Sequence, residues 1–381
     1  CGAFKATSRP ALDVETHLLP IEHQIWKHNA EAVGRMLTCD GLPELSGLAE
    51  ERRQMGRQRK ATHISPLSSI IHRIRTDDAV QFSSREKITP FVTPPWWQGA
   101  AIHIASSDDE AITQHDRIIA DENNTCIYTD GSHIEGHTGA AAVWPNRQQT
   151  ESTYMGPATT STVYVAELQG ICIALAMVQA DIRRGNSHRH LHIFADNQAA
   201  IRSVVRPEGR SGAYIVQQIV QKIDQIRAGG VTIDIRWICA HEGIDGNERA
   251  DLAAKEATGW RSGDDRGPRA EPPAHLYPLR TTLKTWCKKT ANQRWQASWT
   301  AERKGKAVRR HTPIPTKKIL QLHAGLSKAE SALLVQMRTE KIGLKDFLFN
   351  RRVPGFHNPR CHCGGRRQTV AHVLLSCRHY K

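Results

Sequence analysis

The stretch Thr125-Cys-Ile-Tyr-Thr-Asp130 is a short run of β-branched and aromatic residues that ends in a carboxylate and breaks at Gly131-Ser132. Such a run favours a strand. A strand that carries an Asp to its own C-terminal edge can begin an active site, although Asp-Gly is also ordinary turn chemistry. What decides the reading is that three more carboxylates follow at comparable places.

Working outward, strands are expected at 126–129, 139–144 and 151–155, joined by turns at 131–136 and 145–149, which makes an antiparallel meander. A helix capped by Ser161 or Thr162 runs to Gln179, with Val165, Leu168, Cys172, Leu175 and Val178 on its apolar side. Strand 191–195 then ends in Asp196, and Asn197 opens a short helix, 198–205, that Pro207 stops. Helix 213–227 finishes at Gly229-Gly230, and 231–238 alternates as a fifth strand. The loop 240–246 leads to Asn247, read as the cap of a last helix with Asp251 in its first turn. The pattern predicts an α/β domain with a mixed sheet of five strands and flanking helices, over 121–260.

Asp130 and Asp196 end the first and fourth strands, which as neighbours would set them side by side. A helix crossing that face can lower Glu167 towards them, with Gly170 and Ala174 keeping the helix slim. Clustered carboxylates repel unless a cation neutralises them. Hard oxygens without Cys or His suit Mg²⁺ or Mn²⁺, and two such ions can drive phosphodiester hydrolysis.

Tyr128-Thr-Asp-Gly-Ser, Ala166-Glu-Leu-Gln-Gly, Phe194-Ala-Asp-Asn-Gln-Ala-Ala and His241-Glu-Gly-Ile-Asp-Gly-Asn-Glu-Arg-Ala-Asp together resemble type 1 ribonuclease H in order and spacing. The resemblance covers about a third of the chain. It implies that Asp130, Glu167, Asp196 and Asp251 hold two metal ions and that His241 assists proton transfer or product release. It also places Gly131, Ser132 and Asn197 against the RNA–DNA hybrid. Two departures stand out: Ala240 precedes His241 where the family often has Gly, and the basic protrusion of some members is missing because 207–211 bridges directly to the next helix.

The flanks differ in character. Residues 1–120 read as a connector, helical at first (Leu18, Leu19, Ile21, Ile25, Trp26, Ala30, Val33, Leu37) and proline-punctuated at Thr89-Pro-Phe-Val-Thr-Pro-Pro-Trp-Trp. Two basic stretches (Glu51-Arg-Arg-Gln and Arg57-Gln-Arg-Lys) separate its helical part from an apolar stretch at 66–74. Of a net charge of +14, residues 261–381 carry 26 Lys and Arg against 7 Asp and Glu, a local surplus of 19. That surplus is the footprint of a polyanion partner. Residues 261–273 read as a linker, and the rest of 261–355 as a basic region, partly helical (320–334 included), in which Lys and Arg alternate with Trp286, Trp295 and Trp299.

The last segment, 356–381, holds Cys361, Cys363, His372 and Cys377, a donor set for tetrahedral Zn²⁺, with His362 and His379 as competitors for the fourth place. Arg360, Arg366, Arg367 and Arg378 surround it, which suits a zinc knuckle that binds single-stranded nucleic acid. The other cysteines are scattered and read as free thiols, which argues for a reducing compartment, nucleus or cytoplasm, and against secretion. No run of about 18 apolar residues is present. The start, Cys1-Gly-Ala-Phe-Lys, suggests a piece of a longer chain.

A ribonuclease H followed by a basic stretch and a Cys/His module is similar to the tail of a non-LTR retrotransposon polyprotein, and Arg9-Pro-Ala-Leu-Asp-Val-Glu-Thr-His-Leu-Leu-Pro-Ile-Glu resembles the connector after its reverse transcriptase. The expected function is cleavage of the RNA strand of hybrids in reverse transcription, with an upstream reverse transcriptase as partner. The alternative is a catalytically silent nucleic-acid-binding remnant of such an element.

Overall fold

The computed structural model describes residues 2–39, 69–72, 85–240, 242–263 and 266–380. The basic residues read at 51–60, most of the apolar stretch at 66–74, and His241 lie outside the described residues. The chain divides into two compact units, Asn29–Trp286 and a second made of Cys1–His28 with Cys287–Lys381.

In chain order the first helices are α1 (Arg9–Glu15), α2 (Ile21–Leu37) and α3 (Asp108–Ile119). Strand β1 (Ala101–His103) precedes α3, and the meander β2 (Asn124–Ile134), β3 (His137–Trp144), β4 (Gln149–Pro157) follows it. Next come α4 (Val163–Arg183), β5 (His190–Ala195), α5 (Gln198–Val205), α6 (Ala213–Ala228), β6 (Thr232–Trp237) and α7 (Asp245–Ala257). The remaining helices are α8 (Arg280–Ala301), α9 (Lys306–His311), α10 (Lys328–Arg338), α11 (Lys345–Asn350) and α12 (Val370–Leu375).

The sheet has six strands rather than five, in the order β1-β6-β5-β2-β3-β4. The extra strand pairs in parallel with β6 through Ala101↔Asp234 and Ile102↔Ile235. Three residues are too few to show a period-2 alternation, so nothing in the sequence marks them. Along β2 the side chains alternate between two cores. Ile127 packs with Ala166, Ile171, Leu191 and Ile223 of the α4–α6 side, whereas Cys126 and Tyr128 pack with Phe194 and Ala250 of the α7 side. Helix α4 is apolar enough by composition alone to match a membrane span, and most of it is buried in the first of these cores.

Three expectations shift in this unit. Helix α7 starts at Asp245 with Ile244 as its cap, so Asn247 is an interior buried residue and Asp251 sits in the second turn. Asp245 and Glu248 favour that earlier start by facing the positive end of the helix. The stretch read as a linker instead returns to the sheet. Ala270 N–H donates to Ala257 (3.1 Å), and the Tyr154 N–H and Thr153 hydroxyl both donate to the Glu271 carbonyl (3.2 and 2.6 Å). These bonds cover part of the β4 edge, whose backbone groups would otherwise need water.

In the other unit, Ala11 and Val14 of α1 pack with Trp295, Trp299 and Val308. The Glu15 carboxylate, fully buried, receives the Arg338 Nε–H at 2.9 Å. Of the three tryptophans that alternate with basic residues, Trp295 and Trp299 are therefore core, and Lys288, Lys289, Arg303 and Lys304 face water. Residues 320–334 do not form one helix. A 3₁₀ turn at Lys317–His323 ends before Gly325, and α10 begins at a capping box between Ser327 and Glu330 that the sequence already spells out.

Candidate functional site

Parallel pairing of β2 with β5 runs to Thr129↔Ala195, so the next residues, Asp130 and Asp196, leave two adjacent strand ends together. Helix α4 crosses here at very short range. A Cβ on Gly131 would stand 2.5 Å from the Glu167 backbone nitrogen, and one on Gly170 would stand 3.0 Å from the Ala141 carbonyl oxygen. Only residues without a side chain permit that approach. It brings oxygens of Asp130, Glu167 and Asp196 within 4.8 Å of one another.

Asp130 and Glu167 are buried and Asp196 half-buried. Burial, and then the charges of Asp196 and Asp251, push the Asp130 carboxyl up to about 7, while the Gly131 N–H and Lys255 pull it down. Burial, and then Asp130 and Asp196, push Glu167 up to about 10, opposed by the Gly131 N–H and the Asn197 side chain. Glu167 Oε2 is buried without a hydrogen-bond partner. An all-oxygen donor set with one orphaned buried oxygen fits a divalent cation: charge held down by mutual repulsion is charge that a cation would release.

Asp251 is not part of this close group. Its Oδ2 accepts from Lys255 Nζ at 2.5 Å, though its charge is still felt at Asp130. Lys255 belongs to no motif, and its i,i+4 spacing from Asp251 is the local signal of this pair. Asn197 caps α5, its Oδ1 accepting from Ala199 and Ala200 N–H at 3.1 Å each, which leaves its amide to face Glu167. Gly131 and Ser132 are both buried in β2, with Ser132 paired to Gly139.

A second donor cluster lies in the other unit. An antiparallel bridge between Arg360 and Arg367 forms a hairpin that presents Cys361 and Cys363, and α12 and the residues after it supply His372 and Cys377. His372, not His362 or His379, faces the thiols. Cys361 and Cys377 sulfurs are 3.6 Å apart, and Cys363 Sγ is 3.3 Å from His372 Nε2. The edges of a tetrahedron around Zn²⁺ with bonds of about 2.0–2.3 Å are about 3.3–3.8 Å, which spans both separations, and all four donor atoms lie within 4.8 Å of one another, so the set fits that ion. A backbone N–H at Cys363, ahead of the neighbouring donors, draws the Cys361 thiol down to about 6.

The RNase H family model matches residues 122–259. The Gag-Pol polyprotein of bovine immunodeficiency virus (strain R29) is 30% identical over 139 residues, which is 36% of this chain and 8% of that polyprotein's length. Among solved structures, RNase H1 from the halophilic archaeon Halobacterium salinarum NRC-1 is similar at 17% identity over 35% of this chain and 96% of its own, with a TM-score of 0.26. With the four acidic motifs falling inside the matched segment, residues 122–259 are a ribonuclease H domain.

Proposed function

We propose that this domain cuts the RNA strand of RNA–DNA hybrids by two-metal-ion hydrolysis, leaving 3′-hydroxyl and 5′-phosphate ends, in the reverse transcription of a retroelement. The observation that carries the reading is the convergence of Asp130, Glu167 and Asp196 on one oxygen-lined point with Glu167 Oε2 unpaired. Bound there, Mg²⁺ or Mn²⁺ supplies a reactive water and neutralises charge on the leaving oxygen. Asp130 and Asp196, fixed by adjacent strands, hold the donors in register; the Asn197 amide and the Gly131 N–H orient Glu167. Asp251 completes the set once it leaves Lys255, and His241 moves the proton. The shallow minor groove of a hybrid, with its 2′-hydroxyls, is what such a surface site can read.

The likeness to a Gag-Pol polyprotein supports the retroelement setting and an upstream reverse transcriptase as partner. Cys361, Cys363, His372 and Cys377 hold a structural Zn²⁺, and the arginines around them contact single strands. Buried free thiols at Cys126, Cys172 and Cys239 suit a reducing compartment, nuclear or cytoplasmic.

Cleavage of a labelled hybrid with Mg²⁺ or Mn²⁺, beside Asp196→Asn, is the test. Hybrid-only cutting that falls by about a thousandfold in the variant is expected. Binding without cutting in either metal would leave the alternative, a catalytically silent nucleic-acid-binding remnant.

A further inference from the structure

The carboxylate site is flanked by a cleft that neither the motifs nor the proposed chemistry uses. Its volume is about 160 Å³, and it is lined among others by Tyr164, Arg202, Arg206 and Arg210. Two helices beside the carboxylates, α4 and α5, lead into it. Tyr164 is one helical turn before Glu167 on α4, on the same face, and its hydroxyl donates to Ser203 Oγ at 2.7 Å. Helix α5 starts beside Asp196, so at 1.5 Å per residue Arg202 lies about 7.5 Å and Arg206 about 13.5 Å along from Asn197. Arg202 and Arg206 are four apart and share a face.

All three arginines are exposed and weakly committed. Arg202 donates to the neutral Gln198 side chain at 2.9 Å. Arg206 has no ion-pair partner among the described residues. Arg210 pairs with Glu208 at 2.5 Å, but both groups stand in water, where such a pair contributes little and exchanges readily.

The loop that carries Arg206 and Arg210 is braced rather than free. The Glu86 carboxylate, fully buried, receives the Ser211 hydroxyl (2.5 Å), the Gly212 N–H (2.6 Å) and the Arg280 N–H (2.6 Å). Phe91 bridges to Glu208, and Gln217 donates to the Thr89 hydroxyl at 3.0 Å. A Cβ on Gly209 would stand 2.1 Å from the Thr89 carbonyl oxygen. The proline-rich segment that reads as a connector is thus packed onto the corner between α5 and α6, where the sequence lacks a basic protrusion. The brace fixes the backbone of this corner, so that binding there orders only the arginine side chains.

We infer that Arg202, Arg206 and Arg210, held on this corner by residues 86–91, form an anchor for the phosphodiester backbone of the hybrid a few nucleotides from the cut. The distances agree with this, because phosphates on one strand recur about every 3.4 Å along the duplex axis, so the reach from Asn197 to Arg206 covers about four of them. The inference rests on the hybrid-substrate reading above, and the test separates the two.

Binding of a fluorescent 18-base-pair hybrid to the full chain is measured over a range of salt for the parent, Arg202→Gln/Arg206→Gln, Arg210→Gln and, as a control on α3, Arg117→Gln. Neutralising two phosphate contacts makes the slope of log affinity against log salt shallower by about 2 in the double variant. Its affinity falls about tenfold or more at low salt, with a matching rise in KM; Arg210→Gln shows about half that change of slope, and the control behaves as the parent. Parent-like affinity and slope in the double variant overturn the anchor whether or not the chain cuts, as does a parent that binds no hybrid. Loss of the proposed activity shows separately, as binding with no cleavage.

Discussion

Asp130, Glu167 and Asp196 come from two strand ends and a helix spread over 67 positions, whereas Cys361, Cys363, His372 and Cys377 fall within 17. The oxygen cluster is held against its own charge: burial and repulsion drive Asp130 and Glu167 upward, and only the rigid sheet and the close approach of α4 at Gly131 keep them together. In the sulfur cluster the local backbone does the opposite for Cys361, drawing its thiol down through the N–H of Cys363. Little core is buried around that second cluster besides the cysteines themselves. The carboxylate site is therefore a product of the domain's stability, and the thiol module, on the proposed reading, would depend on a bound metal.

Removing the metal should hit the two regions unequally. Chelation, or His372→Ala, withdraws binding free energy on the order of 10 kcal/mol from the small module. Residues 359–377 then become open to protease, while the ribonuclease H domain keeps its own unfolding transition. Limited proteolysis read by mass spectrometry, with and without zinc, checks this; equal resistance in both states would break the contrast.

A smaller effect concerns pH. A free aspartate loses its proton near pH 4, but Asp130 in the metal-free fold keeps it up to about 7. The folded state then binds more protons than the unfolded one across that window, so stability falls as pH rises through it, by on the order of 4 kcal/mol. Glu167 extends the same sign of slope towards about 10. Denaturant titrations of the metal-free protein at pH 5 and pH 8 measure the difference. Added Mg²⁺ should shrink it, and Asp130→Asn should remove its lower part. A domain equally stable at both pH values would mean that the carboxylates are not held in conflict.

The smallest effect is at the rim. Lys255 is placed directly on one member of the acidic set, Asp251. Lys255→Gln frees that carboxylate and removes a competing positive charge, so Mg²⁺ affinity should rise about two- to fivefold, a change of about 0.4–1 kcal/mol. Calorimetric titration of both proteins gives the answer. An unchanged affinity would place Asp251 outside the metal set.

Much of this organisation was written locally. The β-branched run to Asp130, the cap at Thr162, the stop at Pro207 and the glycine pair after α6 each act within a few residues, and the four acidic motifs mark their own elements. The CxC, His and Cys spacing likewise names a metal-binding set, because its ligands are near neighbours in the chain. What needed the tertiary structure was everything set by partners distant in sequence. Three residues at Ala101–His103 become a strand only because β6 offers an open edge. Trp295 and Trp299, which alternate with basic residues along the chain, are core because α1 covers them. The proline-rich connector becomes a brace only where Glu86 meets Ser211, Gly212 and Arg280. Local pattern fixes what a segment can be; the packing of distant segments decides which charges and rings are left facing water.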